Sequence, residues 1–406
     1  MKRQILFVDD EKKILEALQR MLRGMRNDWE MRFAEGGAEA LALLAKGSFD
    51  VVVTDMRMPK MDGADLLSEI KKCYPNIVRI ILSGHSEKEL VLKSVSPAHQ
   101  YLAKPCDAET LKHTISRACA LRDLLAQDTL KGIVSQINSL PSLPSLYSEL
   151  MNAMQSSDSS IQQIGQIIAK DIAMTAKVLQ IVNSAFFGIP RHISNPEQAV
   201  GLLGLDTVKA LILTAGVFSS SSQIRVAGFK ADTLWSHSIA TGAIAREIAR
   251  AESMDRQDMD NAFMAGLLHD VGQLIIAAEI PAQYGEVLKK LQNEPDSLHL
   301  IEHQIIGSTH AEVGAYLLGL WGLPDAIVEA VAFHHLPGSC VAEGLLPLSI
   351  VHAADALEHH MAQPIRPMNQ IARLDQEYME KSGLTERLST WQDICSQIMK
   401  GDMSNA

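Results

Sequence analysis

Five side chains in the first 105 residues are of the types needed to accept and hold a phosphoryl group. Asp9 and Asp10 end the apolar run Ile5–Val8, Asp55 ends Val51–Thr54, Ser83 follows Ile80–Leu82, and Lys104 stands before Pro105. An aspartate attacks phosphorus only if its own charge is managed. A carboxylate pair holds a hard cation such as Mg²⁺, whose ligands are oxygens. The cation screens the incoming phosphoryl oxygens and aligns them for transfer. Lys104 adds a mobile point charge, and the Ser83 hydroxyl is placed to follow the new phosphoryl group.

A second set is built from imidazoles. His237, the pair His269-Asp270, His310, the pair His334-His335 and Asp355 all lie in apolar helical surroundings. Imidazole with carboxylate suits Fe, Mn, Zn or Ni. Such an ion lowers the pKa of bound water toward about 7 and orients a phosphoester. Neighbours on a helix point roughly 100° apart, so no adjacent pair chelates alone. Pairs on several helices converge on one or two ions, with Asp270 the candidate bridge. His299, His303, His352, His359 and His360 are read as hydrogen-bonded core or surface imidazoles.

Strands must deliver the first set. Val51-Val52-Val53 is a β-branched run of the kind found in strands buried on both faces. Strand-like segments at 5–8, 29–33, 51–54, 79–82 and 100–102 alternate with helical patterns near 11–24, 38–46, 63–73 and 87–95. That alternation predicts a parallel sheet covered on both faces. Ligands of open α/β sheets bind at the carboxyl ends of the strands, where these five side chains fall. Asp107 is placed to cap a helix from Ala108, with Leu111, Ile115, Ala118, Leu121 and Leu125 on one face. That helix is expected to run toward Ile137, with Gly132 as its weak point. Leu140-Pro141-Ser142-Leu143-Pro144 then breaks the chain.

Beyond Pro144 no strand pattern stands out. Helical patterns at 146–155, 160–170, 172–183, 196–203, 207–219, 232–252, 259–277, 282–292, 310–320, 324–334 and 346–360 predict an all-α half. Weaker patterns follow at 369–380 and 386–399, and the serine cluster at 219–222 reads as a loop.

With 406 residues, 47% of them apolar, the chain can build two or three domains with real cores. A formal charge of −11 without a basic tract argues against a nucleic-acid partner. The absence of any apolar run of about 18 residues predicts no transmembrane helix. The first residues enter a strand directly and leave no room for a signal peptide. The five cysteines include no C-x-x-C and are read as reduced thiols. A cytoplasmic protein is expected.

Asp9-Asp10, Asp55, Met58-Pro59, Asp62-Gly63, Ser83-Gly84, Tyr101 and Lys104-Pro105 match in order the pattern of the response-regulator receiver family, which residues 3–122 resemble. The resemblance implies a five-stranded, parallel, doubly wound sheet of flavodoxin-like form. It implies phosphorylation of Asp55 by a sensor histidine kinase or phosphotransfer protein. Asp9, Asp10 and Asp55 become the Mg²⁺ site, with Asp10 a direct ligand. Ser83 and Tyr101 become switch residues, Lys104 the phosphate partner, and Arg57 a neighbour of the site.

The His-Asp pair beside Gly272, with His237, His310, His334, His335 and Asp355, resembles the ligand set of the HD superfamily of metal-dependent phosphohydrolases over 232–360. Gln273 stands where hydrolytic members commonly carry lysine. After His335 the chain reads Leu336-Pro337-Gly338-Ser339-Cys340, without the Gly-Tyr-Pro element of the related cyclic-di-GMP phosphodiesterases. Leu140–Pro144, Asp171–Lys177, Asn183–Gly188, Ala199–Gly204 and Trp321–Pro324 resemble the HDOD family over about 136–345, with Ile172 where that family has proline. This resemblance implies an all-α HD-superfamily signalling output, often without hydrolysis.

One pattern points elsewhere. Residues 196–203 and 207–219 have the spacing of a helix-turn-helix. Val208–Phe218 is apolar nearly all round, so that helix is buried and cannot read base edges.

The expected organisation is a receiver at 1–122, a helical linker at 123–139, an HDOD domain at 140–360 and a helical tail at 361–406. The HDOD domain divides into a helical part, 140–225, and an HD-like part, 226–360. The expected function is phosphorelay signal transduction. Phosphorylated Asp55 switches an output that contacts a downstream signalling protein, with self-association a further possibility and neither DNA nor membrane a partner. The alternative is a receiver-controlled, metal-dependent phosphohydrolase, with cyclic-di-GMP a candidate substrate.

Overall fold

The computed structural model describes residues 2–83, 98–125, 127–137, 141–142, 149–150, 153, 160–183, 193–203, 219–220, 224–293, 297–340, 345–361 and 374–400. Strands β1 (Arg3–Val8), β2 (Trp29–Ala34), β3 (Val51–Asp55), β4 (Val78–Ser83) and β5 (Gln100–Ala103) form one parallel sheet, ordered β2-β1-β3-β4-β5. Side chains alternate between its faces. Ile5, Phe7, Val51 and Val53 enter one core, while Leu6, Val8 and Val52 enter the other. Every residue of β3 is buried, as its β-branched run predicts. Helices α1 (Lys12–Met21), α2 (Gly37–Leu44) and α3 (Gly63–Cys73) connect the strands. The helix expected at 87–95 lies outside the described residues.

Asp107 caps α4 (Ala108–Leu124), accepting a hydrogen bond from the Thr110 N–H at 2.9 Å. The helix does not continue to Ile137. Leu125 turns extended (φ −88°, ψ 117°) with its side chain fully buried, and the chain restarts as α5 (Asp128–Gln136). The break therefore precedes Gly132: burial of Leu125 decides it, not local helix propensity.

The second half is helical: α6 (Ile161–Ala169), α7 (Ile172–Val182), α8 (Pro196–Leu203), α9 (Ala231–Ala251), α10 (Arg256–Leu268), α11 (Val271–Glu279), α12 (Pro281–Asn293), α13 (Leu298–Ile306), α14 (His310–Leu320), α15 (Asp325–Phe333), α16 (Pro347–Met361), α17 (Gln376–Lys381) and α18 (Leu388–Met399). The expected helices at 146–155 and 207–219 lie largely outside the described residues. Three findings depart from the pattern. The span 259–277 is two helices, α10 and α11, parted at His269-Asp270. Helix α13 forms where no helix was expected. Pro141–Ser142 (β6) pairs in parallel with Ser219–Ser220 (β7), where a break and a loop were expected.

The stretch Arg256–Glu279 is apolar and long enough to span a membrane, but 83% of its most apolar window is buried inside the protein. The tail closes on the helical core: Trp391 is fully buried and its Nε1–H donates to Glu252 at 2.8 Å. The two halves also meet. Helices α4 and α5 lie along α14. Gln100 Nε2 donates to the Gly319 carbonyl at 2.9 Å, and Arg117 pairs with Asp325 at 2.6 Å.

Candidate functional sites: a carboxylate and lysine cluster and a twin imidazole centre

Asp55 closes β3 and is 9% exposed. Its Oδ2 accepts the Arg57 N–H at 2.6 Å, and its Oδ1 accepts from Lys104. Lys104 Nζ also donates to Asp9 Oδ2 at 2.8 Å, so one ammonium bridges two buried carboxylates. Asp9 Oδ1 accepts from the Glu11 N–H at 2.9 Å, and Asp10 beside it is exposed. Burial pushes the Asp55 carboxyl up, and Lys104 pulls against it without fully offsetting it. Burial works against the Lys104 charge, but the Asp55 and Asp9 carboxylates outweigh it and raise its pKa. The oxygen donors of Asp9, Asp10 and Asp55 suit a hard divalent ion. Ser83 closes β4 and Tyr101 lies on β5; the side chains of both fall outside what is described.

The second set converges from six helices, with three residues inside them and four at their ends. His237 sits within α9, His269 ends α10, and Asp270 stands at the start of α11. His310 opens α14, where Thr309 and Glu312 form a reciprocal cap. His334 and His335 follow α15, and Asp355 lies on α16. Gly272 allows the approach of α11 to α14: a Cβ there would lie 2.6 Å from the His310 carbonyl carbon.

Asp270 faces both ways. Its Oδ1 lies 3.1 Å from His310 Nε2 and 3.9 Å from His334 Nε2. Its Oδ2 lies 3.4 Å from His269 Nε2 and 3.7 Å from His237 Nε2. Asp270, His310, His334 and His335 bring ligand atoms within 4.8 Å of one another, and so do His237, His269 and Asp355. Every residue predicted for this centre is therefore brought to it, in two groups with Asp270 between them.

The Nδ1 atoms of four of these rings are already committed. Nδ1 of His237 meets Glu358 at 2.7 Å and that of His310 meets Glu302 at 2.6 Å. Nδ1 of His269 meets the Gly266 carbonyl at 2.7 Å and that of His334 meets the Val331 carbonyl at 2.8 Å. A carbonyl only accepts, so those Nδ1 atoms carry the proton and Nε2 presents a lone pair inward. The Nε2 atoms of His335 and His310 are 2.9 Å apart, and His334 Nε2 is buried without a hydrogen-bond partner. An orphaned inward nitrogen beside a carboxylate, among the described residues, fits a divalent transition ion.

The charges agree. Burial opposes a charged His237, but Asp355 and Glu358 outweigh it and push its pKa up to about 10. His310 is likewise pushed up to about 10, against burial, by Glu302 and Asp270. Burial and the neighbouring His269 and His310 push His334 down to about 3. Asp270 and Asp355, although buried, are held well below the usual carboxylate range by the imidazoles around them.

His359, read as a hydrogen-bonded imidazole, is hydrogen-bonded and also adjoins the centre. Its Nδ1 lies 2.8 Å from Asp355 Oδ1, and it forms a further group with His237 and Glu358. The i, i+4 spacing of Asp355 and His359 was the available signal. Glu302, fully buried on the unforeseen α13, was also missed. His299 stacks on His335 with ring centroids 4.5 Å apart. His352 is structural, bonded to the His334 carbonyl and the Asp375 N–H. A cavity of about 360 Å³ opens beside the centre, lined by His237, Asp270 and His359 and walled by Phe229, Tyr284 and Leu288.

Family models match in two places: the response regulator receiver domain over residues 5–116 and the HDOD domain over 140–337. An uncharacterized protein of Treponema pallidum is 29% identical over 235 residues, 55% of this chain and 43% of its own length. The hydrogenase transcriptional regulatory protein HoxA of Bradyrhizobium diazoefficiens is 33% identical over 131 residues, 32% of this chain and 26% of its own. The chain thus spans less than half the length of these curated relatives. Among solved structures, the MmoQ response regulator of Methylococcus capsulatus is 23% identical, with a TM-score of 0.48, over 63% of this chain and 98% of that one. The signal receiver domain of an HD domain-containing protein from Pseudomonas fluorescens is 32% identical, with a TM-score of 0.29, over 30% of this chain and 98% of that one.

Proposed function

The chain is a response regulator that joins a receiver domain to an HDOD domain, and we propose that phosphorylation of Asp55 governs a two-metal phosphoester centre in its helical half. The division at 122, 139, 225 and 360 belongs to this reading. Receiver domains bind Mg²⁺ and interact with histidine kinases or phosphotransfer proteins; which of these serves here, and which ions the helical half takes, are part of the proposal.

In the receiver, the phosphoryl group passes from a phosphohistidine or an acyl phosphate to an Asp55 carboxylate oxygen. The donor's P–N or P–O bond breaks as the new P–O bond forms, and the donor leaves as histidine or carboxylate. Mg²⁺ held by Asp9, Asp10 and Asp55 would neutralise charge in that transfer. Lys104, which bonds Asp55, is placed to hold the phosphoryl oxygens, and the Arg57 N–H adds a donor.

In the output, His237, His269 and Asp355 would hold one ion, His310, His334 and His335 the other, with Asp270 shared. Bound divalent ions would supply Lewis acidity toward a phosphoester and a nucleophile from water. Glu302 and Glu358 keep His310 and His237 oriented. Phe229 and Leu288 wall the neighbouring cavity, and Lys230 at its lining offers a cation to an anionic ester.

The observation that carries this reading is the position of Asp270, one oxygen toward each imidazole group, with a cavity reaching the same residue. One observation favours contact with a downstream protein: Gln273 occupies the position of the usual lysine and accepts a hydrogen bond from Tyr284 at 3.2 Å. The test is turnover of bis(p-nitrophenyl) phosphate and cyclic-di-GMP by Mn²⁺-loaded protein. Turnover that falls at least about 100-fold in Asp270→Asn supports the enzyme. Turnover equal to that of Asp270→Asn would leave the contact reading standing.

A further inference from the structure

His310 is set by groups that are not themselves metal ligands. Its backbone N–H and its Nδ1 both meet Oε2 of Glu302, at 2.8 and 2.6 Å. The helix carrying Glu302, α13, ends at Gly307 in a left-handed turn with φ +78°. A Cβ on Gly307 would fall 3.1 Å from Cδ of Gln127, and its amide nitrogen is nearer still. Gln127 lies between α4 and α5, so the linker abuts the turn that leads into His310.

The receiver holds the far end of α14, the helix that His310 opens. Gln100 on β5 donates to the Gly319 carbonyl at 2.9 Å. Arg117 on α4 donates to the Leu323 carbonyl at 2.5 Å and pairs with Asp325 at 2.6 Å. Helix α14 is thus held at its last turn by Gln100, with Arg117 holding the Leu323–Asp325 turn beyond it, and is abutted before its first turn by the linker; His310 is its first residue. The other ligand group is held differently: α9, α10 and α16, which carry His237, His269 and Asp355, pack on one another within the helical half.

We propose that α4 and the linker are positioning elements of the metal centre: docking along α14 fixes His310 and sets the affinity of the His310, His334 and His335 half for its ion. The His237, His269 and Asp355 half is set from within. This inference rests on the two-metal reading above. It gives Asp55 a packed route to the output, because Gln100 adjoins Tyr101 on β5 and α4 follows that strand. By linkage, an ion at the His310 half favours the docked receiver by the same factor.

Mn²⁺ titration of the full-length protein tests this, with millimolar Mg²⁺ throughout to fill the receiver. The two equivalents are read separately in the wild type, Arg117→Ala, Gln127→Ala and the double variant, each checked for an unchanged circular dichroism spectrum. The expected result is one equivalent weakened about tenfold in the double variant and the other unchanged. Arg117→Lys, which keeps a cation opposite Asp325, recovers part of the loss. If Arg117→Ala does not fold, Gln100→Ala removes a single hydrogen bond and serves in its place. Two equivalents with the same affinities in all variants would overturn this inference alone. A wild type that takes up no Mn²⁺ would overturn the two-metal reading and this inference with it.

Discussion

The Nε2 atoms of His237 and His269 face each other across 3.1 Å. The Nδ1 atoms of both rings are already bonded, to Glu358 and to the Gly266 carbonyl. Two inward lone pairs at that distance would repel, so a proton or a cation lies between them, and the raised pKa of His237 supplies the proton when no ion is bound. Both residues are at most 3% exposed.

Metal removal should therefore destabilise the helical half. A ligand bound only by the folded state adds about 2.7 kcal/mol at 100 times its Kd. Dialysis against a chelator should lower the melting temperature, and Mn²⁺ or Zn²⁺ should restore it. His269→Ala should melt at a temperature that added metal raises far less. Identical melting curves with and without chelator would show the imidazoles to be purely structural.

Glu302→Gln should keep a hydrogen bond to His310 but lose the charge that orients it. Partners of this kind are worth about 10–100-fold in metal affinity. Competition with a metallochromic chelator measures that loss. An unchanged affinity would mean that His310 needs no carboxylate behind it.

The receiver makes a separate prediction. Acetyl phosphate with Mg²⁺ should label the wild type and not Asp55→Asn. Lys104→Ala should be labelled but respond weakly, because the ammonium that bonds Asp55 is gone. Equal labelling of Asp55→Asn on a phosphate-affinity gel would place the phosphoryl group elsewhere.

Lys177 offers a test by pH. It is 1% exposed, with its Nζ 4.8 Å above the Trp321 ring, and burial, aided by the charge of Lys71, pushes it down to about 7. In the unfolded chain a lysine titrates near 10.4. Between about pH 7 and 10 the unfolded chain therefore holds the extra proton, and stability rises with pH across that window. Lys177→Met should flatten the rise and raise the melting temperature at neutral pH. A wild type whose stability does not rise between those values would contradict the burial argument.

Much of this was legible because the signals were local. Val51–Val53 announced a strand buried on both faces, and Asp107 announced a helix start that its side chain does cap. The ligands of the twin centre are picked out by their match to the HD pattern, since apolar company alone would also pick the structural His352. What escaped depended on packing. Apolar periodicity runs unbroken through 259–277, so nothing local reveals that the helix parts at His269-Asp270 to aim two ligands. The break at Leu125 comes from its burial in a core built by distant segments. Glu302 on α13 looks like an ordinary surface glutamate until its helix is folded beneath His310.

The most direct test of the two-metal centre is electron paramagnetic resonance of the Mn²⁺-loaded protein, with excess Mg²⁺ occupying the receiver. Two ions that share Asp270 would sit about 3.5–4 Å apart, as in other two-metal sites. The expected result is an exchange-coupled spectrum that Asp270→Asn converts to that of isolated Mn²⁺ or abolishes. A wild-type spectrum of isolated Mn²⁺ alone, unchanged by Asp270→Asn, would contradict it.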